Sequence, residues 1–304
     1  MGSMDDLDST VFAPDGRKLT VRDLGDRSGA PVFFMHGTPG SRLGPFPRSA
    51  LLRQLGVRLI AYDRPGYADS DRLPLRSVSH AAADVRAVAD FLKIKQFSIV
   101  GRSGGGPHAL ACAAMMPDRV TRAAVLVGLA PRHAEGLDWY AGMTESNRHE
   151  YNIAESGVRA LARAIETSAE KIRDDPHLLM RNLGPELPPP DWRVVADDGI
   201  RVGMRLNFAE AVSRSGAGWV DDARSFTQDW GFDPADILVP TVLWHGAQDV
   251  FSPVAHTHWL ARTIPGSIEM IAEDAAHFSA IEFLPSLLPW LAFGRQQHLT
   301  ADAA

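Results

Sequence analysis

At 304 residues, with 45% hydrophobic and 8% aromatic content, the chain can bury one large core or two modest ones, and its composition excludes a disordered protein. A net charge of −6, from 31 Lys and Arg against 37 Asp and Glu with both signs interspersed, leaves no footprint for nucleic acid or an anionic membrane. The expected partner is a small-molecule substrate.

No apolar run approaches the roughly 20 residues of a bilayer span. The start, Met1 to Asp6, is acidic where a secretory signal is basic, and Asp6 stands where a myristoylation motif wants Ser or Thr. Met1-Gly2-Ser3 reads as a cloning remnant before Met4. Cys112, the lone cysteine, rules out an internal disulfide and suits a reducing, cytoplasmic location; among Ala109, Ala113 and Ala114 it reads as packing. Nothing in the sequence sets an oligomeric state.

In chain order, Thr10 to Phe12 and Lys18 to Arg22 flank the turn signal Pro14-Asp15-Gly16 and predict an antiparallel hairpin. Near-continuous apolar runs follow at Pro31 to Met35, Arg58 to Tyr62, Phe97 to Val100, Ala123 to Val127, Thr241 to Trp244 and Ile268 to Ile271, as in parallel strands covered on both faces. Helical patterns fall at Ser49 to Leu55, His80 to Leu92, Ala109 to Met116, Val254 to Ile264 and Ala280 to Leu291. This alternation predicts an α/β fold with a doubly wound, mostly parallel sheet. From about Arg132 to Asp236 no buried strand is apparent, and helical stretches such as Gly157 to Ile172 and Val202 to Val212 are broken by Pro188-Pro189-Pro190. The expected organisation is a core of residues 1–131 and 237–304 with residues 132–236 inserted as a helical cap.

Gly101-Arg102-Ser103-Gly104-Gly105 directly follows a predicted strand and directly precedes a small-residue helical run beginning at Pro107. A serine on such a turn is held in a strained backbone with its hydroxyl exposed at the carboxyl end of the strand. Glycines on both sides remove the Cβ atoms that would collide with the crossing strand and helix.

This turn, with His36-Gly37-Thr38-Pro39-Gly40, Asp63-Arg64-Pro65-Gly66-Tyr67, Gly246-Ala247-Gln248-Asp249 and His277-Phe278, all at strand ends and in order, resembles the α/β-hydrolase superfamily. The resemblance covers nearly the whole chain except the inserted helices. Two positions depart from it: Ala68 replaces the second glycine of the Asp-Arg-Pro-Gly-x-Gly turn, and Ala276 replaces the glycine often found before the final histidine.

The resemblance implies a triad in which Ser103 is nucleophile, Asp249 acid and His277 base. A serine hydroxyl needs an imidazole to take its proton, and the imidazole needs a carboxylate to fix its tautomer. Of the other histidines, His256 and His258 fall in a predicted helix and His298 in a polar tail. After the strand preceding the insertion, Leu129-Ala130-Pro131 offers no alternative acid. The oxyanion hole would use the backbone N–H groups of Thr38 and Gly104. His36 is expected to brace the oxyanion loop, and Asp63 and Arg64 to form a supporting turn pair. No metal or cofactor is expected.

Ser103 argues against the aspartate nucleophile of haloalkane dehalogenases and epoxide hydrolases. Gly104 departs from the Trp typical of proline iminopeptidases and from the Met common in cofactor-free haloperoxidases and perhydrolases. The insertion holds Trp139, Tyr140, Trp192, Trp219 and Trp230 with Met143, Met180 and Met204. These either line an apolar acyl pocket or fill the insertion's own core; Trp139 and Trp219 are the candidate pocket walls. Arg42 reads as a solvated helix-start residue, and Arg102 as a salt-bridging brace with a substrate contact as the alternative. The expected activity is hydrolysis of a carboxylic ester, lactone or thioester. The alternatives are a C–C bond hydrolase of β-diketone-like substrates, or a hydrolase-fold protein acting as a small-ligand receptor or in a non-hydrolytic step of secondary metabolism.

Overall fold

The computed structural model describes residues 7–295; the acidic start with its Met4, and His298, lie outside the described residues. The hairpin forms as β1 (Leu7–Phe12) and β2 (Lys18–Gly25), paired antiparallel, and β3 (Ala30–Met35) enters the centre of the sheet. There follow α1 (Ser49–Gln54), β4 (Val57–Tyr62), α2 (Ala81–Phe91), β5 (Phe97–Arg102), α3 (Gly105–Met115) and β6 (Val120–Leu126). Then come six helices, α4 (Glu145–Ser156), α5 (Val158–Asp174), α6 (Leu178–Leu183), α7 (Pro189–Ala196), α8 (Asp198–Ala211) and α9 (Ala217–Phe226), with no strand among the described residues of this stretch. The chain returns to the sheet through β7 (Thr241–Gly246), α10 (Ala255–Thr263), β8 (Ile268–Ala272) and α11 (Ser279–Phe293).

The eight strands form one sheet in the order β1-β2-β4-β3-β5-β6-β7-β8, parallel from β4 to β8. The unbroken apolar runs are explained by the pleat, since successive side chains point to opposite faces and both faces are covered. In β3, Phe33 and Met35 join the core shared with Val85, Val88 and Leu110 of α2 and α3, while Val32 and Phe34 join the core under Leu52, Leu284 and Leu288 of α1 and α11. β4 divides in the same way, with Ile60 and Tyr62 on one side and Leu59 and Ala61 on the other.

The inserted helices have a separate apolar cluster. In α5 the buried residues are Leu161, Ile165, Ala169 and Ile172, one stripe of an amphipathic helix, packed on Val220 and Ala223 of α9. Two of these helices are N-capped by side chains: Thr144 Oγ1 accepts from Asn147 N at 3.4 Å, and Asp197 Oδ1 from Ile200 N at 2.9 Å. A further cluster joins Val194 and Phe208 of the insertion to Phe251, Phe278 and Ile281 of the sheet domain. No helix among the described residues is long and apolar enough to cross a membrane.

Candidate active site

Ser103 sits at the turn between β5 and α3 with φ +55°, a left-handed conformation uncommon for a residue with a side chain. Its N–H donates to Leu126 O at 2.8 Å, which ties the turn to β6. The close crossing needs the flanking glycines. A Cβ on Gly101 would stand 2.2 Å from Gly105 O, and one on Gly105 2.1 Å from Met35 O, so any side chain there would force β3, β5 and α3 apart.

His277, on the loop after β8, and Asp249, on the loop after β7, meet with His277 Nδ1 2.8 Å from Asp249 Oδ2. Because the carboxylate only accepts, Nδ1 carries the proton and Nε2 is left as the basic nitrogen. Asp249 is fully enclosed: Oδ1 accepts from Phe251 N at 2.8 Å and Ser252 N at 3.1 Å, and Oδ2 also faces His245 Nε2 at 3.1 Å and Ser252 Oγ at 3.2 Å. Burial alone would raise its pKa, but His277 and His245 outweigh burial and hold it below the usual carboxylate range. His256 lies elsewhere, accepting from Ala130 N at 3.1 Å, and burial lowers its pKa to about 4.

Ser103, His277, Thr38 and Gly104 all border one cavity, of about 100 Å³. Among the described residues, neither the Thr38 nor the Gly104 backbone N–H donates to a protein acceptor. The two loops touch: a Cβ on Gly104 would lie 2.3 Å from Thr38 Oγ1 and 3.1 Å from the Phe226 ring. The threonine hydroxyl fills the space that a larger residue after Ser103 would take.

His36 braces this loop, accepting from Arg64 N at its Nε2 (3.1 Å) and contacting Gly37 O through Nδ1 (2.8 Å), while Arg64 also donates to His36 O and, at 3.0 Å, to Gly37 O. Asp63 and Arg64 do not pair with each other as expected. Asp63 takes Arg42 Nη1 at 2.7 Å, and Arg42, expected to be solvated, is buried and also paired with Glu210 at 2.6 Å. Arg64 turns the other way, to Asp222 of α9 at 2.5 Å.

Asp222 was not singled out by the sequence. It is wholly buried and accepts from Thr38 Oγ1 (2.7 Å), Tyr67 Oη (2.8 Å) and Arg76 Nη2 (2.6 Å) besides Arg64. Burial would raise its pKa, yet Arg64 and Arg76 hold it well below the usual range, so it stays ionised. Asp191 of α7 is a second carboxyl from the insertion, accepting from Phe278 N at 2.6 Å and so fixing the residue after His277; burial pushes its pKa up to about 6. Glu150 of α4 borders the cavity and accepts from Trp219 Nε1 at 2.9 Å, and burial raises its pKa to about 7. An acid in a helix pattern normally marks a solvated face, so the only sequence signal for Asp222 was its place among Trp219, Val220 and Ala223.

The two candidate wall tryptophans separate. Trp219 borders the cavity. Trp139 does not; its ring is buried against Tyr140, Tyr151 and His256, with Nε1 donating to Ala130 O at 2.8 Å, so it packs the base of the insertion. Trp192 is half exposed, and the side chain of Met180 lies outside the described residues. Among the described residues no cluster of three or more His, Cys, Asp or Glu is placed to hold a metal ion.

Residues 30–284 match the family model for the alpha/beta hydrolase fold, and the chain belongs to that family. It is 29% identical over 276 residues to the 2-hydroxymuconate semialdehyde hydrolase of Pseudomonas putida, covering 88% of this chain and 86% of the relative. It is 28% identical over 270 residues to a non-heme haloperoxidase of Rhodococcus erythropolis, covering 84% and 86%. Among solved structures, the esterase from Exiguobacterium antarcticum superposes with a TM-score of 0.69 at 22% identity, covering 94% of this chain and 99% of that one, a likeness of fold.

Proposed function

We propose that the protein is a serine hydrolase that cleaves a carboxylic ester, lactone or thioester of modest size through an acyl-enzyme. Ser103 Oγ attacks the carbonyl as His277 Nε2 takes its proton, and Asp249 holds the imidazole and the imidazolium that forms. The N–H groups of Thr38 and Gly104 receive the oxyanion. His277 then protonates the leaving oxygen or sulfur, and water, with His277 again as base, releases the acid and restores Ser103. On this reading residues 132–236 act as the cap and Trp219 as part of the acyl wall, over a core of residues 1–131 and 237–304.

The observation that carries the reading is the strained Ser103 sharing one cavity with a His277 whose other nitrogen is held by a buried carboxylate. The relatives' names, a hydrolase and a haloperoxidase, are compatible with this apparatus. The test is turnover of excess p-nitrophenyl esters, lactones and thioesters of graded length by the wild-type chain. Multiple turnovers support the hydrolase. A single slow event on every substrate supports the receptor instead.

A further inference from the structure

The cavity beside Ser103 is bordered by a cation that meets no counter-ion among the described residues. Arg102, the residue before Ser103, is 4% exposed and borders the cavity. Its Nη2 lies near Gly37, and a Cβ built on that glycine would stand 3.5 Å from it. The brace expected from the sequence is not formed. Among the described residues no hydrogen bond or ion pair holds the Arg102 side chain, and its buried Nε is without a partner. The other arginines with comparable burial, Arg42, Arg64 and Arg76, each meet a carboxylate within 2.7 Å.

A guanidinium stays charged in a protein and pays heavily for burial unless an anion meets it. Burial lowers the Arg102 pKa to about 10, and Asp191 opposes this only from beyond ion-pair distance. Asp191 is itself engaged with Phe278 N through Oδ1, and its Oδ2 is unpartnered. Glu150 borders the same cavity but is hydrogen-bonded to Trp219 and forms no ion pair with Arg102. Among the described residues no anion is left to meet Arg102, so a group entering the cavity can supply one, and a carboxylate matches the planar fork of a guanidinium.

Resting on the hydrolase reading, we infer that the substrate carries a carboxylate a few bonds from the scissile carbonyl and that Arg102 binds it. Arg102 then sets specificity for half-esters, or their lactone and thioester counterparts, of short dicarboxylic acids.

The test pairs each acidic ester with an isostere in which methyl replaces the carboxylate: monomethyl succinate with methyl butanoate, and monomethyl glutarate with methyl pentanoate. In the wild type at least one pair should favour the acidic member by about tenfold or more in kcat/KM, because a site with an unpaired buried polar group rejects the analogue that cannot pair it. In Arg102→Met that ratio should fall to about one or below, with Arg102→Lys in between. A ratio within one variant cancels any general loss of activity. If the wild type prefers every neutral isostere, or if the ratio survives Arg102→Met, the inference is overturned. If Arg102→Met only lowers the melting temperature, Arg102 is a brace.

A second readout does not depend on turnover. Butanoate or pentanoate, but not the neutral butanamide or pentanamide, should raise the melting temperature of the wild type and not of Arg102→Met. Where that variant does not fold, the acids and amides are compared on the wild type alone, and equal effects of acids and their amides overturn the inference. Absence of any ester turnover or serine labelling, with the carboxylate-specific shift intact, would refute the hydrolase reading and leave the carboxylate site standing.

Discussion

Thr38 Oγ1 donates to Asp222 Oδ2 at 2.7 Å, so a carboxylate on a helix of the insertion holds the loop proposed to receive the oxyanion. The same carboxylate gathers Arg64, Tyr67 and Arg76 from segments far away in sequence. The inserted helices therefore support that loop and, on the proposed reading, also cover the cavity.

Thr38→Val keeps the shape of the side chain and removes this donor, while Asp222 retains its other partners. The donor proposed at residue 38 is a backbone N–H, so the loss should come from its aim and fall on the transition state. The expected result is a fall of about tenfold in kcat with KM changed less than about threefold. A lower melting temperature with kcat unchanged would make the contact purely structural.

Asp222→Asn removes the charge that offsets two buried guanidinium groups. Breaking a buried ion pair from one side costs about 3 to 5 kcal/mol, and the remaining Arg64 and Arg76 would repel each other. Denaturant unfolding should show a loss of that order. A change below about 1 kcal/mol would mean the cluster is hydrated or that its charges separate on mutation.

Much of this architecture was legible from sequence, because β strands covered on both faces write continuous apolar runs and strained turns write glycine. The hairpin, the strand end at Met35, and the strands that run two residues past the expected Val100 and Trp244, to Arg102 and Gly246, follow from those two signals, as do the helices after them. The helix after Ser103 starts at Gly105, earlier than the alanine-rich pattern suggested, because its first turn is built of glycines whose helical role depends on packing against β3 and β6. Asp222, Asp191 and Glu150 were not legible. Each is an acid in an amphipathic helix, and only the fold brings its arginine, imidazole or indole neighbours to it. The same limit left Trp139 open between pocket and core and misplaced Arg42, whose directions are set by tertiary contacts.

Trp219 and Trp139 should respond differently to truncation. Trp219→Ala should change the ratio of kcat/KM between short-chain and bulky aromatic esters by about tenfold, since one filled apolar contact is worth about 1 to 3 kcal/mol. Trp139→Ala should cost about 3 to 5 kcal/mol of stability and affect all esters alike. Swapped outcomes would place the acyl wall over Trp139.

Glu150 provides a pH signature. Its folded pKa is raised to about 7, so between the unfolded value near 4.5 and 7 the folded state holds the extra proton. Its contribution to stability is therefore fully present at low pH and is lost as pH rises through 7. Glu150→Gln keeps an acceptor for Trp219 and removes the titration. The melting temperature of the variant minus that of the wild type should become more positive from pH 5 to pH 8.5. A difference independent of pH would show that Glu150 is ionised throughout.

Asp249→Asn should lower kcat by about 10⁴, because the amide cannot stabilise the imidazolium of His277 and favours the wrong tautomer. Glu273→Gln and Asp274→Asn, on the loop before His277, should stay within about tenfold of wild type. A more severe loss in either loop variant would name a different acid.

The most direct test of the central claim is covalent labelling with a fluorophosphonate, read by peptide mass spectrometry. A single adduct on Ser103 is expected, lost in Ser103→Ala together with hydrolysis and slowed by orders of magnitude in His277→Ala, while the Ser103→Ala chain remains folded. An adduct that persists in Ser103→Ala, or ester turnover that survives it, would contradict the assignment of Ser103 as nucleophile.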